Sequence, residues 1–392
     1  MTQEPQPASA ELNRGRKFFI LIATWVAAAV AILPVIFQWQ PGPPVTGHGA
    51  HLQLDASYLC AFAICFWIYR VEVRRLSRPR TLVLVFLIFL LTSLSNDIHH
   101  FYIDQASYPA GMSHLAWQIE AQHLVTELYP AIAPHSYRFL PNAMVRWLEL
   151  LRVGFEPARD IYRLIVGLIL FYAIYRYARL FTNYGGALIA LLLSALIYPI
   201  SFEFYFGQLT DPLSHLSFVL AFIFLETGDF AFLLTTILLG SLAKETVLAM
   251  AGYYVLFCRK DSHYPAKSVT LCLSSLATYF GVRFWVLHGA LQYKQVSGVT
   301  PAHAWENWHG GRWLAVFCLS VGALAPFLIP AWKQTPAALK HQVLFLLPVL
   351  FISGLFFSWL AETRNFMPLV FVLAVIAGNY LQSLIAETRP PP

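Results

Sequence analysis

The sequence predicts an all-α, polytopic transmembrane protein, and three observations lead there. Of the 392 residues, 58% are hydrophobic and only 12% are charged, with a mean hydropathy of +0.59, whereas soluble domains carry roughly 25% charged residues. The apolar residues gather in about a dozen runs, each near the roughly 20 residues that a helix needs to cross about 30 Å of hydrocarbon. No strand alternation marks these runs, and helices satisfy their own backbone in lipid.

Taken in order, residues 1–16, with their Pro, Gln, Glu and Ser, read as a disordered cytoplasmic tail. The run at 18–37 is too long for a simple signal peptide and lacks the small-residue cleavage pattern, so it is expected to stay as an anchor. Spans are expected at 54–70 and 81–94, followed by a large, partly helical extracytoplasmic loop at 96–160. Nine further spans are expected at 161–180, 184–203, 211–226, 229–243, 246–258, 268–287, 312–331, 341–360 and 364–385. That makes about twelve crossings, within a range of roughly 10 to 13, in one transmembrane domain at 17–386 that ends in a cytoplasmic tail at 387–392.

Charge sets the orientation. Lys and Arg collect in short cytoplasmic loops, and Arg14, Arg16, Lys17, the arginines of 70–80, Arg176, Arg179, Arg259, Lys260, Lys267, Lys333, Lys340 and Arg389 all fall inside on this count. The net charge of +6 thus reports topology, and no nucleic-acid partner is expected. Multi-pass residence in a membrane follows, and a bacterial inner membrane is favoured. The five cysteines (Cys60, Cys65, Cys258, Cys272, Cys318) sit in apolar runs and read as small hydrophobes rather than a disulfide framework.

The side chains able to do chemistry concentrate on the extracytoplasmic face. The loop opens with Asn96-Asp97-Ile98-His99-His100 directly after an apolar run, which puts the Asp97 carboxylate at the membrane boundary, where it can act as a base or hold a metal. Apolar residues at helical spacing in 112–128 predict a helix along the membrane surface. The loop closes on Tyr137-Arg138-Phe139-Leu140-Pro141 and an amphipathic helix at 142–152. Arg138 there suits a lipid phosphate or plain interfacial anchoring.

Three more polar clusters fall on this face. Thr210-Asp211-Pro212 reads as a helix start, with Asp211 as a candidate N-cap ahead of Pro. Lys244-Glu245 and Glu362-Thr363-Arg364 each pair an acid with a base between apolar runs. An exposed pair of this kind contributes little, whereas ionisable residues at membrane depth point to function. No HExxH, CxxC, P-loop, GxGxxG or GxSxG pattern appears, so no metal site is indicated, and a divalent cofactor is neither required nor excluded.

With these pieces in order, the chain resembles the GT-C superfamily of integral membrane glycosyltransferases. The resemblance lies in an outer loop that opens on Asp97 and closes on Tyr137-Arg138-Phe139-Leu140-Pro141, in Thr210-Asp211-Pro212-Leu213 followed by Leu242-Ala243-Lys244-Glu245-Thr246, and in Glu362-Thr363-Arg364-Asn365-Phe366-Met367-Pro368-Leu369. It covers roughly residues 81–385; three spans precede the loop, more than in many members, and no clear Asp-x-Asp pair is present. The resemblance implies transfer of a sugar from a polyprenyl-phosphate donor on the extracytoplasmic face. Asp97 would be the general base with Asp211 the second catalytic carboxylate, and His100, Tyr137, Arg138, Lys244, Glu245, Glu362 and Arg364 would bind substrate. Partners would be the lipid-linked sugar and membrane lipids, with the oligomeric state open. A transporter or flippase and a noncatalytic assembly subunit are the rival readings.

Overall fold

The computed structural model describes residues 48–103, 119–120, 122–124, 126, 137–199, 209–286 and 301–387, and every regular element among them is helical. The expected tail and the span at 18–37 lie outside the described residues, as does much of the loop. Fourteen α-helices are described outside 119–126. In order they are α1 (His48–Glu72), α2 (Arg78–Ile103), α3 (Phe139–Leu150), α4 (Phe155–Ala178), α5 (Tyr184–Ile197), α6 (Thr210–Thr227), α7 (Phe230–Ser241), α8 (Ala249–Phe257), α9 (Tyr264–Val286), α10 (Pro301–His309), α11 (Arg312–Ser320), α12 (Ala325–Ala331), α13 (Ala337–Phe357) and α14 (Met367–Glu387). Short 3₁₀ turns at Glu245–Leu248, Gly322–Leu324 and Thr363–Phe366 lead into α8, α12 and α14.

Among the described residues, five stretches are long and apolar enough to cross a membrane: Arg78–Ser95, Phe155–Ala178, Trp313–Ala331, Ala337–Phe357 and Thr363–Ala386. Shorter apolar helices cover Tyr184–Ile197, Phe230–Ser241 and Glu245–Phe257. Helices α1, α2 and α9 expose large apolar side chains such as Phe62, Phe66, Phe86, Leu273 and Phe280. Such faces suit contact with lipid rather than water.

Some boundaries differ from expectation. Helix α2 continues past residue 94 to Ile103, so Asp97 and His100 lie on its last turns instead of opening a loop. Helix α4 begins at Phe155, which brings Arg159 and Asp160 into its first two turns. The expected run at 312–331 is broken into α11, a 3₁₀ turn and α12. Local signals place other ends: Asn183 accepts from Gly186 N at 3.0 Å to cap α5, and Gly228, at φ +71°, closes α6 in the left-handed conformation that glycine tolerates.

The helix ends sort into two poles. At one, Glu72 accepts from Tyr172 (2.8 Å) and Arg176 (3.1 Å), Tyr184 donates to the Arg80 carbonyl (2.9 Å), and Gln342 joins Tyr177 to Glu226. At the other, Tyr162 donates to the Leu209 carbonyl at 2.7 Å, Leu140 N donates to the Leu242 carbonyl at 3.1 Å, and the chain turns at residues 243–245 and 358–366. The central helix α4 packs on α1, α2, α3, α5 and α6. Helix α14 lies closely on α5: a Cβ on Gly378 would sit 2.6 Å from the Gly186 carbonyl oxygen and 2.9 Å from Ala190 N. Between apolar helices, small residues of this kind let the backbones approach where no hydrophobic gain is available.

Candidate functional site

The second pole carries a buried polar network, assembled from three segments, the first and last of which are 153 residues apart at Asp211 and Arg364. Asp211 is in the first turn of α6 and fully buried. It is not an N-cap: the helix starts at Thr210, and the carboxylate turns to two cations instead. Lys244 Nζ reaches Oδ1 at 3.3 Å, and Arg364 Nη1 reaches Oδ2 at 3.0 Å. An isolated buried carboxylate is very costly, so each oxygen has its own positive partner.

Arg364 is held from its other side. Its Nε and Nη2 donate to Glu362 Oε2 at 3.1 and 2.9 Å, so one planar guanidinium bridges two carboxylates. The same Glu362 oxygen accepts from Ser358 Oγ (2.9 Å) and Asn365 Nδ2 (3.2 Å). Asn365 then uses its Oδ1 to accept from Lys244 at 2.8 Å, which closes a ring through Asp211, Arg364, Glu362, Asn365 and Lys244. Burial pulls the Lys244 ammonium below the ordinary lysine range, against the opposing attraction of Asp211.

Backbone ties fix the parts. His215, one turn along α6 from Asp211, has Nε2 2.8 Å from the Arg364 carbonyl. A carbonyl can only accept, so Nε2 carries the hydrogen. Buried Asn307 of α10 donates to the carbonyls of Gly354 and Ser358, both at 2.8 Å, and accepts from Leu360 N at 2.7 Å. It thereby sets the exit of α13 just before Ser358 and Glu362.

Beside the ring stands a second pair. Arg138 grips Glu245 at two points, Nε to Oε2 at 2.7 Å and Nη2 to Oε1. Tyr137 packs its ring under Arg283 of α9, whose Cζ is 4.1 Å from the Tyr137 centroid and 3.5 Å from that of Tyr279. Further along α4, Arg159 donates to Gln122 (2.6 Å) and Asp160 (2.9 Å).

Of the residues singled out from sequence, Asp211, Lys244, Glu362 and Arg364 thus meet in one ring, with Arg138, Glu245 and Tyr137 alongside. Asp97 and His100 are carried on the last turns of α2, the end away from Arg80, and their side chains lie outside the described residues. Reasoning from sequence gave no role to Ser358, Asn365, Asn307, His215 and Arg283. A signal existed for some of them: polar side chains inside apolar runs are costly enough to need a reason. The oxygens of Asp211, and Oε2 of Glu362, are taken by cations and amide or hydroxyl donors, so what this ring offers a ligand is an ordered set of charges rather than an open metal ligand set. Two surface clefts, of about 490 Å³ beside Arg179, Asn183 and Gln382 and about 270 Å³ beside Glu226 and Asp261, lie at the other pole.

Comparison of the chain with protein-family models, curated proteins and solved structures finds no match.

Proposed function

We propose that the chain is an integral membrane glycosyltransferase that moves a sugar from a polyprenyl-phosphate donor to an acceptor on the extracytoplasmic face, with about twelve spans counted from its apolar runs. The observation that supports this most is the convergence of the segments around Arg138, Asp211, Lys244 and Arg364 at one pole of a helical bundle. A transport pathway is expected to be lined along its length, whereas this charge is gathered at one end.

In this reading, Asp97 at the site end of α2 takes the proton from the acceptor hydroxyl as the anomeric carbon is attacked and the lipid phosphate departs. Asp211 orders the cations. Arg364 is committed to Asp211 and Glu362 and acts as their brace. Lys244 has three donors and spends two of them among the described residues, on Asp211 and Asn365, which leaves one to meet the leaving phosphate. Tyr137, Arg138, Glu245 and His100 border the substrate.

The test uses full-length protein in neutral-lipid nanodiscs with a panel of polyprenyl-phosphate sugars and acceptor lipids. Transfer that is lost in Asp97→Asn with folding intact supports the reading. Absence of transfer across the panel, together with lipid-sugar movement between leaflets in proteoliposomes, would replace the enzyme with a flippase.

A further inference from the structure

Among the described residues, Arg283 is a buried cation with no carboxylate at ion-pair distance. It is 9% exposed on the last turns of α9, and its guanidinium lies over the rings of both Tyr137 and Tyr279. Its Nη1 donates to the Tyr279 carbonyl at 3.3 Å, one turn back on its own helix, while its Nε is buried with no hydrogen-bond partner among the described residues. No Asp or Glu lies within ion-pair distance of it among those residues. Glu245 lies within its electrostatic reach, but that carboxylate is already held at two points by Arg138. Among the described residues, two guanidiniums therefore share one carboxylate, and the group carries a surplus positive charge.

Two rings steady this guanidinium without taking its N–H donors, and with Nη1 on the Tyr279 carbonyl its Nε is still without a hydrogen-bond partner among the described residues. A planar guanidinium with an unused donor and a spare charge matches an oxyanion, above all a phosphoryl group. The surroundings indicate what carries it. On the same turns of α9, Phe280, Phe284 and Trp285 point outward and exposed, and Trp285 meets Phe139 of α3 edge to face at 6.3 Å. An apolar chain lying along that face would have its head at Arg283.

We propose that Arg283, lying over Tyr137 and Tyr279 beside Arg138 and Glu245, is a binding site for the phosphate of a membrane lipid. The proposal rests on membrane embedding and not on sugar transfer, so binding is measured without acceptor or turnover, and its failure is separate from that of the enzyme reading.

Equilibrium binding of radiolabelled farnesyl phosphate to the full-length protein in phosphatidylcholine nanodiscs tests it. Saturable binding is expected, with farnesol and inorganic phosphate as poor competitors. Arg283→Gln should weaken it by about tenfold to a hundredfold, the span expected for lost charge-assisted hydrogen bonds, and Arg283→Lys should retain part of the affinity. Glu245→Gln should tighten binding, because it frees Arg138 and raises the local positive charge; this opposite sign carries the test even where Arg283→Gln misfolds. Equal competition by farnesol overturns the phosphate reading, and equal competition by inorganic phosphate overturns the lipid one. Unchanged or weaker affinity in a folded Glu245→Gln overturns the shared-carboxylate argument.

Discussion

Asp211→Asn is the most direct test of the ring, because it keeps the size of the side chain and removes only charge. In the native protein Asp211 and Glu362 face Lys244 and Arg364, two negative charges against two positive ones. The substitution leaves two buried cations around one carboxylate, and breaking a buried ion pair from one side costs about 3–5 kcal/mol because the remaining charge has no water to return to. Lys244→Met alone makes the opposite error, leaving two carboxylates on Arg364. Combining the two restores neutrality and leaves the Arg364–Glu362 contact at 2.9 Å intact. The double variant should therefore be more stable than the sum of the singles predicts, with a coupling at the upper end of the roughly 0.5–3 kcal/mol seen for residues in contact. Denaturant unfolding in mild detergent, followed by tryptophan fluorescence, gives the four stabilities of the cycle. If the two single losses simply add, charge balance is not what holds this ring together, and the account of Asp211 as its organiser fails.

Three further outcomes are expected. Gly378→Ala should destabilise by about 1–3 kcal/mol in the same unfolding assay, since its Cβ would meet α5 backbone, whereas Gly281→Ala, with nothing within 4 Å, should not; equal effects would rule out close α5–α14 packing. Although burial pushes the Asp261 carboxyl up, hydrogen bonds from Lys267 and Tyr254, both 2.7 Å, outweigh it and hold that carboxyl below the ordinary range. A depressed carboxylate stabilises the fold above its unfolded value of about 4 and loses that contribution as pH falls through the folded one, so stability against pH in that acid range should fall less steeply in Asp261→Asn than in the native protein. Finally, single cysteines at Lys260 and Lys333 should label from one side of the membrane and one at Arg152 from the other, in a variant lacking the native cysteines; same-side labelling of all three would break the two-pole arrangement.

The sequence by itself determined the class of this protein. Runs such as those at 161–180 and 364–385 could be read because lipid imposes a length and a composition on any helix that crosses it, and α4 and α14 occupy them within a few residues. It also marked Asp211, Lys244, Glu362 and Arg364, since charge inside apolar surroundings is rare enough to stand out. What those charges do was decided only in three dimensions. Arg364 read as the partner of Glu362 and turned out to bridge Glu362 and Asp211, and Asp211 read as a possible helix cap and turned out to be the shared partner of two cations from other segments. Arg283 stood inside the apolar run at 268–287, but nothing in its neighbourhood along the chain announces Tyr137 or the Arg138–Glu245 pair. The physical reason is one of range: hydropathy and helix ends depend on neighbours a few residues away, whereas the partner of a buried charge is fixed by packing that joins positions such as 211 and 364.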